Sequence, residues 1–212
     1  MSTGHANLSP SKRVRWAACP GSVRESRAYP ESRSSPGAID GTHTHTSLEW
    51  CIENGLINPV VGMTLKDHDG EFTIDDDRAE RVRFALEYIK GIKNRLGDSC
   101  QVLSEQRVDP KSLLGRDDLG GTIDVQVIGV NVVELIDYKD GMNPVKAKGN
   151  HQLEQYAAGW MAEHWNELSR FTSIRLTVIQ PKSRIKGSTG IDTYEATLDE
   201  ALGWLTQIVA EA

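Results

Sequence analysis

The chain has 212 residues, 38% of them apolar, which suits one domain with a sizeable core, and no apolar run approaches the ~20 residues of a membrane span. Acidic side chains outnumber basic ones by 30 to 24, so the net charge of −6 excludes a uniformly basic surface, and any affinity for phosphates has to come from local clusters of cations. Three cysteines without a signal sequence fit a reducing cytoplasm, with the thiols buried or idle.

The first few residues and the Ser-, Pro- and Arg-rich stretch from Arg24 to Ala38 are expected to be disordered. Asp40-Gly41-Thr42-His43-Thr44-His45 then opens a helix running to about Asn54, with Thr42 as N-cap and Gly55 as stop. His43 and His45 lie ~200° apart around that helix, so the two do not readily reach one ion; read alone, they are half-exposed histidines at a helix start. The acidic, turn-prone segment Asp67 to Asp77 lacks the ligand spacing of a calcium loop and caps the next helix, Arg78 to Leu96.

A strand over 101–108 carries Glu105. A second, over 121–128, alternates so that Ile123, Val125 and Val127 face one side and Asp124 the other. Gly129-Val130-Asn131 suits a tight hairpin into a third strand, Val132 to Lys139, paired antiparallel to the second. On it Val133, Leu135, Asp137 and Lys139 share a face. Neighbours on a face lie ~7 Å apart, too far for a tight ion pair but suited to a metal held by the carboxylate, with a water between metal and amine. Carboxylates a few ångströms apart repel by up to ~4 kcal/mol at a surface-like dielectric, so Asp124 and Asp137 favour a divalent cation between them. Without context the same residues are a solvated strand end.

An amphipathic helix over 150–167 places Gln152 and Tyr156 on one face at i and i+4. Strands near 173–180 and 191–196 and a closing helix complete an α/β chain with a mixed sheet covered by helices. Lys146 and Lys148 lead into the 150–167 helix, and Lys182, Arg184 and Lys186 crowd the loop after the 173–180 strand; these cations either border one groove or merely keep loops solvated. There is no internal repeat, low-complexity tract or glycine-rich phosphate loop.

Asp124 followed by Asp137-Tyr138-Lys139 resembles the signature of the PD-(D/E)XK nuclease superfamily. Gly41-Thr42-His43-Thr44-His45 is similar to the GTxxH helix of its RecB-like members, Gln152 to Tyr156 to their QxxxY motif, and Ser9 to Ser11 with Cys19-Pro20 to their opening segment. Glu105 matches the glutamate that RecB-like and lambda-exonuclease-like proteins carry on the first core strand. The motifs occur in the family's order across most of the chain, closest to stand-alone phage-encoded members.

The resemblance implies a single nuclease domain over residues 1–212 with a restriction-endonuclease-like core. It also implies a metal site of His45, Asp124, Asp137 and the backbone carbonyl of Tyr138, with Lys139, Asp137, Asp124 and Glu105 in the chemistry. Gln152, Tyr156, Lys146, Lys148, Lys182, Arg184 and Lys186 are the expected DNA contacts. Mg2+ is the expected ion, and an imidazole ligand makes Mn2+ a credible substitute or even the better activator. Some relatives hold an iron-sulfur cluster on four cysteines; with Cys19, Cys51 and Cys100 alone, none is expected.

The implied activity is metal-dependent hydrolysis of DNA, as an exonuclease at linear ends in phage recombination, replication or repair. A recombinase or single-strand-binding partner, homo-oligomers and the cytoplasm of a bacterial host go with it. The alternatives are a catalytically silent DNA-end-binding or partner-recruiting module of the same fold, and a hydrolase of small phosphate esters.

Overall fold

A computed structural model describes residues 6–28, 34–97 and 99–212, without the side chain of Arg27. A 3-10 turn, Pro10–Lys12, leads into α1 (Arg13–Ala18) and α2 (Gly21–Ala28), followed by α3 (Pro36–Glu53). Parts of the stretch expected to be disordered are therefore helical, residues 24–28 in α2 and 36–38 in α3; residues 1–5 and 29–33 lie outside the described residues.

α3 begins two turns earlier than expected. Ser35 is its N-cap, accepting from the Ala38 amide at 3.2 Å, and Pro36 supplies a preset φ at the first helical position. Thr42 is inside the helix and donates to the Ala38 carbonyl at 3.1 Å. The helix stops at Asn54, and Gly55 takes a left-handed φ of 64°, as its residue type suggests.

The acidic segment holds a hairpin that its turn-prone composition does not reveal: β1 (Thr64–Asp67) and β2 (Gly70–Thr73) pair antiparallel. Asp67 Oδ1 closes their turn by accepting from the Asp69 and Gly70 amides at 2.8 and 3.2 Å. Asp75 then caps α4 (Asp76–Leu96), accepting from the Arg78 amide at 2.7 Å, so the capping role assigned to the acidic segment holds at its end.

The main sheet contains β3 (Gln101–Val108), then, after the short helix α5 (Lys111–Leu114), β4 (Gly121–Ile128) and β5 (Val132–Tyr138), with α6 (His151–Glu163) crossing to β6 (Ser173–Ile179). β7 (Ile191–Thr197) and α7 (Leu198–Glu211) end the chain. Strand order is β3-β4-β5-β6-β7; β5 and β6 are parallel and the other pairs antiparallel, so the sheet is mixed, as expected for this α/β class. The helix placed over 150–167 ends sooner, at Glu163, where the His164 ring stacks on Trp160 and binds its carbonyl; a 3-10 turn, Trp165–Arg170, follows.

Apolar side chains cover both faces. Leu48 and Cys51 of α3 and Val82, Leu86 and Ile89 of α4 pack with Val125, Val127, Ile136 and Tyr138. Leu153, Ala157, Trp160 and Met161 of α6 and Ala201 and Trp204 of α7 pack with Val133, Leu135, Ile174 and Leu176. Burial on two sides explains why β5 and β6 read as nearly continuous apolar runs.

Ile123 packs with the α6 cluster, while Val125 and Val127 pack with the α3–α4 cluster, so the single alternating face expected along β4 does not exist. The strand pattern breaks at Asp124. Its partner position on β3 is Glu105, whose φ of 48° is the one left-handed value at a non-glycine residue among the described residues, and the ladder register skips this pair. The β4–β5 pairing stops at the same level, with Val125 opposite Ile136. Beyond it the strands part, and Asp124 Oδ2 accepts the Tyr138 amide at 2.6 Å.

The N-terminal segment is bolted beside this break. Buried Arg13 bonds Glu154 at 3.3 Å and Glu211 at 2.9 Å, and the Gln155 amide donates to the Leu8 and Leu119 carbonyls at 2.7 and 2.8 Å. Pro10 and Tyr156 crowd Gly121 so closely that a Cβ there would sit 2.6 Å from Pro10 Cγ and 2.8 Å from Tyr156 Cε1.

Candidate metal centre

Where β4 and β5 separate, the floor of a cleft of about 870 Å³ is lined by His45 from α3, Glu105 from β3 and Asp124 from β4. One nitrogen or carboxylate oxygen from each lies within 4.8 Å of the other two. His45 Nδ1 stands 3.6 Å from Asp124 Oδ2, and its ring meets Tyr138 edge-on at 5.2 Å. His43 points elsewhere, to Asp67 at 2.7 Å, with its ring stacked on Phe72.

Asp137 stands beside this trio, 1% exposed. Contrary to the spacing argument, Asp137 and Lys139 form a direct ion pair: the flexible lysine chain brings Nζ to 3.0 Å from Oδ1 and 2.9 Å from Oδ2. The Gln152 amide fastens both, its Oε1 accepting from Lys139 Nζ at 2.9 Å and its Nε2 donating to Asp137 Oδ1 at 2.9 Å and to the Tyr156 hydroxyl at 3.0 Å. Gln152 and Tyr156 are thus wired into the site, and the Tyr156 side chain is 6% exposed.

Charge is crowded here. Burial first, and then the negative charges of Asp124, Glu49 and Glu53, push the Glu105 carboxyl up to about 8. Burial likewise raises Asp137, against the pull of Lys139, and raises the Tyr156 phenol. Asp137 Oδ2 is fully buried and has no aligned hydrogen-bond donor, although Lys139 Nζ is close. An imidazole and two carboxylates within ligand reach, an orphaned buried carboxylate oxygen next to them, and an excess of negative charge fit a divalent cation that takes nitrogen and oxygen ligands. A second grouping with ligand spacing, Asp67, His68 and Asp69, is already committed: Asp67 gives one oxygen to the hairpin turn and the other to His43.

The expected DNA-contacting cations fall into two sets. Lys182 lines the cleft, and its Nζ bridges Asp40 and Asp140 at 2.7 Å each. Arg184 lies over the Phe84 ring at 5.3 Å, and Lys186 is exposed. Lys146 pairs with Asp192 at 3.0 Å, and Lys148 lies over the Tyr194 ring at 5.1 Å. Lys146 lines a cavity of about 320 Å³ together with Ser183, Gly187 and Ser188, so the two segments are neighbours, although Lys182, Arg184 and Lys186 do not line it.

A network that residue patterns do not reveal borders the cleft. Arg81, 5% exposed, bonds Asp140, Asp40 and Thr44; Arg78 bonds Asp40 at 2.8 Å; the Tyr138 hydroxyl donates to Asp140 at 3.1 Å. Burial works against the Asp40 carboxylate, but the bonds from Lys182 and Arg81 outweigh it and hold the group well below the usual carboxylate range. These pairs tie α3, α4 and the end of β5 together, so His45 and Lys139 are held in one frame. The only hint in the sequence is that Asp140 directly follows Lys139.

Cys51 and Cys100 are buried and Cys19 is exposed. No helix among the described residues is long and apolar enough to cross a membrane.

Fold and site together define an α/β protein with a histidine–carboxylate centre at the point where two strands of a mixed sheet part. A family described as a protein of unknown function (DUF2800) matches residues 5–212, and the chain belongs to that family.

Proposed function

We propose that the protein is a divalent-metal-dependent deoxyribonuclease of the PD-(D/E)XK superfamily, RecB-like or lambda-exonuclease-like, acting as an exonuclease at DNA ends. The observation that carries this reading is the convergence of His45, Glu105 and Asp124 in a cleft directly beside the Asp137–Lys139 pair. Fold class and motif order support it. Phage recombination, replication or repair, in the cytoplasm of a bacterial host and alongside a recombinase or single-strand-binding partner, is the setting this reading carries with it.

His45, Glu105 and Asp124 would hold Mg2+ or Mn2+; Asp137, expected as a ligand, falls outside that trio and, with the Tyr138 carbonyl, would be an adjoining oxygen donor. When bound, such an ion lowers the pKa of a coordinated water and shields the phosphate. Lys139 is an ammonium donor held by two acceptors, Asp137 and Gln152, which leaves one N–H of three to orient the attacking water or bond a phosphate oxygen. Asp137 fixes the lysine, and Gln152 fixes both. Tyr156 closes the chain of bonds behind them.

The test is cleavage of 5′- and 3′-labelled linear DNA and of circular DNA with Mg2+ and with Mn2+. Linear DNA is degraded, circular DNA survives, and Asp124→Ala or Lys139→Ala abolishes the products. Undiminished metal-dependent cleavage by Lys139→Ala overturns the assignment, and DNA binding with no product under either metal favours the silent end-binding module.

A further inference from the structure

The cleft does not end at the metal centre. A second cavity of about 490 Å³, lined by Arg81, Phe84, Arg184 and Ser188, shares Asp77, Lys182 and Ile185 with it, so the two form one trough. Its lining sets cationic and apolar groups among carboxylates, Glu105, Asp124 and Asp140 in the first part, Asp77 at the junction and Glu80 in the second. Lys139 and Lys182 line the first part, each with two acceptors already, Asp137 and Gln152 for Lys139 and Asp40 and Asp140 for Lys182, so each ammonium has one N–H left for a phosphate. At the junction Ile185 is 73% exposed, and Met142, 52% exposed, borders the same cleft. Beyond the junction the Arg184 guanidinium lies over the Phe84 ring, and among the described residues no carboxylate pairs with it. This platform is built in: Gly190, at φ 85°, leaves space that a Cβ would fill, 2.9 Å from Phe84 Cζ and 3.1 Å from Arg184 Cγ.

Two large apolar side chains exposed beside a polar centre meet the base faces of a duplex only by unstacking it, at a cost of a few kcal/mol per step, because those faces are hidden in the stack and the outside offers phosphates. An unpaired strand offers both phosphates and flat base faces, and proteins hold it with cations and with aromatic or guanidinium planes. The charge balance agrees. With a net charge of −6 the protein has little to spend on phosphates alone, so base contacts have to supply part of the affinity.

We propose that the trough seats unpaired single-stranded DNA, with the scissile phosphate at the metal centre and the neighbouring base on Ile185 and the Arg184–Phe84 pair. This rests on the nuclease reading for the position of the scissile phosphate, and it makes a single strand or a frayed end, rather than intact duplex, the substrate. Arg184 and Ile185 are then the residues that set strand preference.

The experiment compares a fluorescent ten-nucleotide single strand with a blunt duplex of the same sequence, bound to the whole protein in Ca2+. The variants are wild type and the charge-conserving double variant Arg184→Lys, Ile185→Ser, which removes the guanidinium plane and the apolar side chain, and Mn2+ binding is measured calorimetrically in parallel. The single strand binds about tenfold tighter than duplex, and the double variant loses about tenfold in single-strand affinity, with duplex and Mn2+ binding unchanged. Both substituted side chains are exposed, and Mn2+ binding reports that the variant is folded. Equal affinity for the two DNAs, or a double variant that keeps its single-strand affinity, overturns the proposal. Single-strand binding that depends on Arg184 and Ile185 in a protein that cleaves nothing upholds the trough and removes the nuclease reading; cleavage with no strand preference does the reverse.

Discussion

Replacing Gln152 with leucine keeps the side-chain size and removes three hydrogen bonds, at 2.9 Å to Lys139, 2.9 Å to Asp137 and 3.0 Å to Tyr156. Two of these involve charged groups, each worth ~1.5–3 kcal/mol when buried. Gln152 is half-buried, and the Asp137–Lys139 pair survives the change, so the low end applies and Gln152→Leu costs about 2–3 kcal/mol of unfolding free energy. The trio His45, Glu105 and Asp124 makes no hydrogen bond to the amide, and Asp137, the adjoining donor, keeps its pairing with Lys139, so Mn2+ affinity stays within about twofold, a shift of under ~0.5 kcal/mol. Urea unfolding of the metal-free protein and titration calorimetry with Mn2+ measure the two effects separately. A stability loss below about 0.5 kcal/mol shows that the amide does not hold the pair, and a collapse of Mn2+ affinity shows that the wiring and the metal trio are one unit.

Glu105, pushed up to about 8, binds its proton more tightly folded than unfolded; its contribution to stability without metal is therefore present below the ordinary carboxylate range and lost as pH rises toward 8, and Glu105→Gln flattens that decline in thermal melts. Metal binding has to expel the same proton. Between pH 6 and 8 the wild-type Mn2+ affinity therefore gains about 50-fold more than that of Glu105→Gln, and parallel pH profiles in calorimetry would exclude Glu105 as a ligand. Gly121→Ala forces a Cβ against Pro10 and Tyr156 and costs about 1–3 kcal/mol, read by urea unfolding; a neutral result would mean that the N-terminal segment does not sit on β4. Arg81→Met strips buried Asp140 of its guanidinium and costs about 3 kcal/mol near neutral pH, whereas Arg81→Lys recovers part of it. Because Asp40 titrates below the usual carboxylate range, the wild-type advantage over Arg81→Met is fully present above ordinary carboxylate pKa values, declines as pH falls through them and is gone in stronger acid, which an acid-unfolding series resolves.

The strands were legible because apolar residues dominate β4, β5 and β6, and the hairpin between β4 and β5 has the expected turn residues. His45, Glu105, Asp124 and Lys139 were found through motif order, and the structure brings the first three within ligand reach. The break in β4 was not legible: it follows from a left-handed φ at Glu105, a residue type that gives no hint of it. Ser35-Pro36 carried the start signal of α3, but the surrounding Ser and Pro residues read as a loop. The Asp137–Lys139 contact escaped an argument built on backbone spacing, because a lysine side chain is long enough to bend back along its own strand. The Asp40–Arg81–Asp140–Lys182 network joins residues up to 142 positions apart, and nothing local encodes such pairings.

The most direct test of the central claim is anomalous diffraction from crystals grown with Mn2+. A single strong peak within bonding distance of His45, Glu105 and Asp124 together, lost in Asp124→Ala crystals, is the predicted result. Manganese seated at Asp67, His68 and Asp69 instead, or a cleft floor where the three side chains bind no ion, would contradict it.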